Sequence, residues 1–127
     1  MILADTHAWF WWLTQDARLS AQAMAALNRE PVGISPMTMW ELSMLAERQR
    51  VFIDAKPLQW IEDALERTET RIIPISPRIA VVAGGFASPY LRDPADRIIV
   101  ATALTHGVPL VTKDDRIRRA AVVETVW

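Results

Sequence analysis

Four acidic residues, Asp5, Glu41, Asp96 and Asp114, are placed along this chain so that they could do chemistry together. Oxygen ligands in that number suit Mg²⁺ or Mn²⁺, and a carboxylate-held metal pair is a common apparatus for in-line attack of water on a phosphodiester. In open α/β sheets, ligands bind outside the carboxyl ends of the strands. Asp5 directly follows one predicted strand, Glu41 lies one to two turns into the helix after another, and Asp114 and Asp115 follow a third. Asp96 sits in the first turn of a helix opened by Asp93-Pro94. Acids gathered at one sheet edge repel and raise one another's pKa values unless something positive lies between them.

Each acid also has a simpler reading. Asp93 before Pro94 is a good helix N-cap, and Asp96, three residues on, favours the positive end of the helix dipole. Asp114 or Asp115 could equally cap the helix that follows. Asp5 is harder to dismiss, because a charge ending a buried strand needs a partner or a metal to offset its desolvation. Glu41, among Met37, Leu42, Met44 and Leu45, is either edge-exposed or functional. The hydroxyls of Thr6 and Thr112, beside the acids, could hydrogen-bond ligand carboxylates or a metal-bound water.

Composition narrows the chemistry further. The 127 residues contain no cysteine and two histidines, which excludes disulfides, thiolate nucleophiles and Cys-ligated zinc. Fourteen basic residues against fifteen acidic ones give a net charge of −1, without the basic excess of a protein that holds nucleic acid mainly through counterion release. Setting aside the four acids leaves eleven acidic residues against fourteen basic, so the remaining surface is modestly basic. Twelve of the fourteen are Arg, the side chain suited to bidentate phosphate contact. Most read as solvated surface with pairs such as Asp63 with Arg67. Arg92, Arg97, Lys113 and Arg116 flank the acids and are the candidates for phosphate contact.

A repeated strand-then-helix rhythm must position these residues. Strands are expected over residues 2–4, 32–34, 71–75 and 108–112, with a fifth over 122–126. Helices are expected over residues 6–13, 20–29, 36–50, 57–68, 78–86, 94–105 and 115–121. Ser35-Pro36, Ser76-Pro77 and Asp93-Pro94 each pair a capping side chain with proline at the first helical position. Near-continuous apolar strands in βα alternation predict a single domain, residues 1–127, with a three-layer α/β/α sandwich around a mainly parallel sheet of four to five strands. The longest apolar runs, residues 8–13 and 79–87, fall far short of the roughly 18 residues that span a bilayer. With no basic, apolar leader at its start, the chain is expected to be soluble and cytoplasmic, with no membrane partner.

Several blocks in order carry a resemblance. Leu3-Ala4-Asp5-Thr6-His7 with Trp11-Trp12-Leu13, then Ser35 with Trp40-Glu41-Leu42, then Arg92-Asp93-Pro94-Ala95-Asp96-Arg97 running into residues 98–103, and finally Leu110-Val111-Thr112-Lys113-Asp114, resemble the PIN-domain nucleases of the VapC type, toxins of bacterial toxin–antitoxin pairs. The match runs nearly end to end, including Trp127. It implies a Mg²⁺- or Mn²⁺-dependent endoribonuclease, with one or two ions on Asp5, Glu41, Asp96 and Asp114. Thr6, Asp93, Thr112 and Asp115 are then supporting residues, with Asp114 toward the metal and Asp115 capping the next helix. An RNA substrate, a cognate antitoxin and a homodimer are also implied. Tyr90-Leu91 and Ala95 depart from the residues common in relatives, at positions that bear on substrate contacts.

Trp9, Phe10, Trp11 and Trp12 in succession wrap the circumference of a short helix, so they are not expected all to face one core. Trp9, Trp11 and Trp12 are candidates for an antitoxin or dimer interface. Two other readings compete. In a phosphoacceptor receiver domain, Asp54 would be phosphorylated beside Lys113. In a catalytically inactive interaction module, the tryptophan-rich surface would be the functional feature.

Overall fold

The computed structural model describes all residues, 1–127. In chain order it contains β1 (Ile2–Ala4), α1 (Thr6–Leu13), α2 (Ala21–Arg29), β2 (Val32–Ile34), α3 (Pro36–Glu47), α4 (Pro57–Thr68), β3 (Arg71–Ile72), α5 (Pro77–Gly85), α6 (Pro94–His106), β4 (Leu110–Val111), α7 (Asp115–Ala120) and β5 (Thr125–Val126). The five strands form one sheet in the order β3-β2-β1-β4-β5, and every pairing is parallel. The sequence predicts a mainly parallel sheet of four to five strands; the sheet has five and is wholly parallel.

Alternation along the central strands sorts the core into two layers. Ile2 and Ala4 of β1, with Val32, Ile34 and Val111, face α1, α2 and α4 in a cluster that includes Trp9, Phe10, Ala23, Leu27 and Ala64. Leu3 and Leu110 face the other way, against Ile99, Val100 and Ala103 of α6 and Ile117 of α7. The third strand residue on that second face is Gly33, where an added Cβ would come within 3.1 Å of Ile73 Cγ1. A small third cluster, Ile79, Ala83 and Ala101, glues α5 to the outside of α6. Burying sheet and helices in this way gives the three-layer sandwich expected from the βα rhythm.

The three cap-plus-proline starts form as read, and the strand lengths do not. Ser20, Ser35, Ser76 and Asp93 each accept a hydrogen bond from the first turn of the helix they open, and Pro occupies the first turn of α3, α5 and α6. Gly107 ends α6 in the left-handed conformation, φ 63°, where L-residues with a Cβ are strained. The strand expected over residues 71–75 pairs only at Arg71–Ile72, because Pro74 has no N–H to give the ladder. The expected strands 108–112 and 122–126 contract to Leu110–Val111 and Thr125–Val126. The expected α3 stops at Glu47 and not at Arg50, with Gln49 turned to φ 55°. No helix is long and apolar enough to cross a membrane.

Candidate active site

The strand order reverses direction between β1 and β4, and this switch point is where an open α/β sheet leaves a crevice at its carboxyl end. Asp5 follows β1 and Thr112 follows β4 there, and the Thr112 hydroxyl donates to Asp5 Oδ2 across the gap. Asp5 also caps α1, its Oδ1 accepting from the Ala8 N–H at 2.8 Å. It is a buried acid. Burial pushes its pKa up to about 6, against the two hydrogen bonds, which lower it.

Glu41 approaches from the second turn of α3, held there because Ser35 starts that helix at the end of β2. Its Oε1 accepts from the Thr6 hydroxyl at 2.5 Å. Burial again raises its pKa, the Thr6 hydrogen bond opposes the rise, and the charge of Asp93 adds to it. Asp96 comes from the first turn of α6, where its N–H donates to Asp93 Oδ1 at 3.1 Å. Its carboxyl is pushed up to about 7, first by burial and then by the charges of Asp93, Asp114 and Glu41, with Arg116 pulling the other way. The like charges expected at the strand ends therefore do act on one another.

A cleft of about 480 Å³ joins these groups, lined by Asp5, Thr6, Glu41, Asp93, Asp96 and Asp114 with Trp11, Lys113 and Arg116 on its walls. The chain forms four ion pairs, and none involves Asp5, Glu41 or Asp96. No three of the acids converge on one coordinating point. The donors are nonetheless all oxygen, and three of the carboxyls are held above their ordinary pKa with no protein cation bonded to them. That donor set and the repulsion among its acids fit a hard divalent cation.

Several expected roles change. Asp114, and not Asp115, caps α7, accepting from the Arg116 N–H at 2.8 Å while its other oxygen lies 3.4 Å from Arg116 Nη2. Asp115 is turned to solvent and pairs with Arg118 at 3.6 Å, outside the cleft. Asp63 and Arg67 form no ion pair. Arg92 is exposed and does not line the cleft.

Arg97 is no phosphate contact at all. Its guanidinium donates to the carbonyls of Ala83, Gly84, Phe86 and Leu91 and lies over the Phe86 ring. It satisfies the carbonyls left open where α5 ends, a task for five fixed donors. Arg97→Met is expected to destabilise the fold by about 3 kcal/mol in a denaturant melt.

The tryptophans are also largely internal. Trp9 is fully buried, donating to Thr70 Oγ1 at 3.2 Å and meeting Trp60 edge-on. Phe10 and Trp11 are buried as well. Three successive aromatics are enclosed because α1 is covered on one side by the sheet and α4 and on another by Trp127, which packs on Trp11. Trp12 is half-exposed and donates to Asn28. Trp9 and Trp11 thus belong to the core, against the interface role expected for them.

Two wall residues escaped the sequence reading as site members. His7 packs at a tilt on Trp11, and Arg18 reaches the cleft from the turn after α1 with its guanidinium 5.0 Å from the Trp11 ring. His7 had a signal, standing two residues after Asp5. Arg18 had none, because an irregular turn carries it back over the helix.

Asp54, the residue a receiver domain would phosphorylate, lies exposed in the connection between α3 and α4, away from the cleft. The strand order 3-2-1-4-5 also differs from the 2-1-3-4-5 order of receiver-like domains. That reading is set aside.

An acidic cleft at the switch point of a five-stranded parallel sheet, fed by the starts of α1, α3 and α6, defines the class of this molecule. The PIN domain family matches residues 2–123. Ribonuclease VapC22 of Mycobacterium tuberculosis is 36% identical over 129 aligned residues, covering 99% of this chain and 98% of that protein. Among solved structures, a toxin–antitoxin complex from Klebsiella pneumoniae superposes with a TM-score of 0.68 at 24% identity, over 97% of this chain and 95% of that one. VapBC2 from Rickettsia felis, bound to a DNA fragment from its promoter, gives 0.70 at 15% identity, over 98% and 97%. The chain belongs to the PIN-domain family, among its VapC-type members.

Proposed function

We propose that this protein is a Mg²⁺- or Mn²⁺-dependent endoribonuclease and the toxin of a toxin–antitoxin pair, inhibited by a cognate antitoxin and active as a homodimer in the cytoplasm. One observation carries the reading: three buried or half-buried carboxylates with raised pKa values share a cleft in which no Lys or Arg pairs with them. The 36% identity to a ribonuclease supports RNA as the substrate class.

Asp5, Asp96, Glu41 and Asp114 would hold the ion or ions. A bound divalent ion supplies Lewis-acid polarisation of the scissile phosphate and a water acidic enough to attack at neutral pH. Thr112 and Thr6 fix the carboxylates of Asp5 and Glu41 by hydrogen bonds that leave each carboxylate further lone pairs. Asp93 holds the first turn of α6, and with it Asp96. Lys113 and Arg116 line the wall and orient the RNA phosphates.

Lys113→Glu and Arg116→Glu are each expected to raise KM for RNA and to lower the salt slope of binding by about one. A titration of binding against salt concentration measures both. An inactive interaction module predicts no cleavage. Incubating single-stranded RNA with the purified protein and Mn²⁺ separates the two, with fragments expected and their loss expected in excess EDTA.

A further inference from the structure

Beside the acidic cleft lies a second cavity of about 610 Å³, between α1 and the connection from α3 to α4. The two share His7, Trp11 and Arg18 as a common wall. We propose that this second cavity is a subsite for the nucleotide next beyond the two joined by the scissile bond in single-stranded RNA, with the base stacked on Phe52 and its phosphate held by Arg50. The inference deepens the nuclease reading and rests on it.

Phe52 is the most exposed large apolar side chain of the molecule, at 84%. Its neighbours Val51 and Ile53 both pack on the main core, while the Phe52 ring between them stands in solvent. An unburied aromatic between two anchored neighbours is a platform, and stacking on such a face accepts any base. Arg50 lines the same cavity and has no acidic partner, whereas Arg18 is already tied to Asp16. Across the shared wall, Trp11 Nε1 makes no hydrogen bond within the chain and is not fully enclosed, leaving a donor for substrate.

Two features favour RNA over a protein segment here. The cavity adjoins the proposed catalytic cleft across His7, Trp11 and Arg18, and its charged lining of two arginines against one aspartate is complementary to phosphate. A strand of RNA leaving the acids would cross the Trp11 wall directly into it.

The test compares wild type with Phe52→Ala, Phe52→Tyr and Arg50→Glu on two substrates, a dinucleotide and an oligonucleotide of about 12 residues. Phe52→Ala and Arg50→Glu are expected to lower kcat/KM on the longer RNA about tenfold or more, mainly through KM, with the dinucleotide unaffected. Phe52→Tyr should retain wild-type values. Equal loss on both substrates, or no loss on the longer one, overturns the subsite. So does release of a bound antitoxin with RNA cleavage unchanged, which would assign the cavity to a protein. The same substitutions are also made in an Asp96→Asn background, and RNA binding is read by fluorescence anisotropy. Weakened binding there with no cleavage by wild type would leave the subsite standing and strike the nuclease reading instead; unchanged binding overturns the subsite.

Discussion

Purified Asp96→Asn protein is expected to lose RNA cleavage by on the order of 10³-fold while folding at least as stably as wild type without metal. The two halves of this expectation have one cause. Asp96 is held at a pKa of about 7 by burial and by the charges of Asp93, Asp114 and Glu41. Above that pH the folded, metal-free protein carries a repelled, poorly solvated charge that the unfolded chain carries at no cost. Asparagine removes the charge and keeps the shape. Its N–H still donates to Asp93, because that bond comes from the backbone. Allowing for solvent screening, the gain at pH 8 is about 1–2 kcal/mol, and it vanishes below about pH 3, where both states are protonated. A residue kept for stability would behave oppositely, so a thermal melt beside the activity assay separates the two roles.

The second large effect is on metal binding as a function of pH. Asp5 and Asp96 have folded pKa values of about 6 and about 7, both raised. For a raised carboxyl the sign is fixed: metal-free stability is highest below the unfolded pKa near 4 and declines as pH rises through the folded value. A divalent ion binds only the ionised forms, so protons compete with it below pH 7. Lowering the pH from 8 to 5.5 is therefore expected to weaken Mn²⁺ binding about 100-fold, with protons released on binding at the lower pH. Isothermal calorimetry in two buffers of different ionisation enthalpy measures both. A Kd independent of pH over this range would contradict the proposed ligands.

Much of the site is legible in the sequence because strand ends and caps are local features. Asp5 follows three apolar residues, and Asp93-Pro94 and Ser35-Pro36 mark where α6 and α3 begin, so the rule that ligands bind at strand ends brings Asp5, Glu41 and Asp96 together. What failed depends on non-local packing. Arg97 is one residue from Asp96 yet turns away to the end of α5, and no spacing predicts four carbonyls from residues 83–91 gathering around it. The aromatic run of α1 needed knowledge that Trp60 and Trp127 close over it. Asp114 and Asp115 differ by one position, and only the backbone path out of β4 decides that the first caps α7 while the second points to solvent.

The central claim is that the acidic cleft cleaves RNA through a metal held by its carboxylates. Its most direct test strips the purified protein with EDTA, removes the chelator, and measures RNA cleavage against added Mn²⁺ for wild type and Asp5→Asn in parallel. Wild type is predicted to be silent after stripping and to recover with Mn²⁺, while Asp5→Asn, folded by circular dichroism, stays silent at every concentration. Undiminished cleavage by the stripped wild type, or full activity of Asp5→Asn, would contradict it.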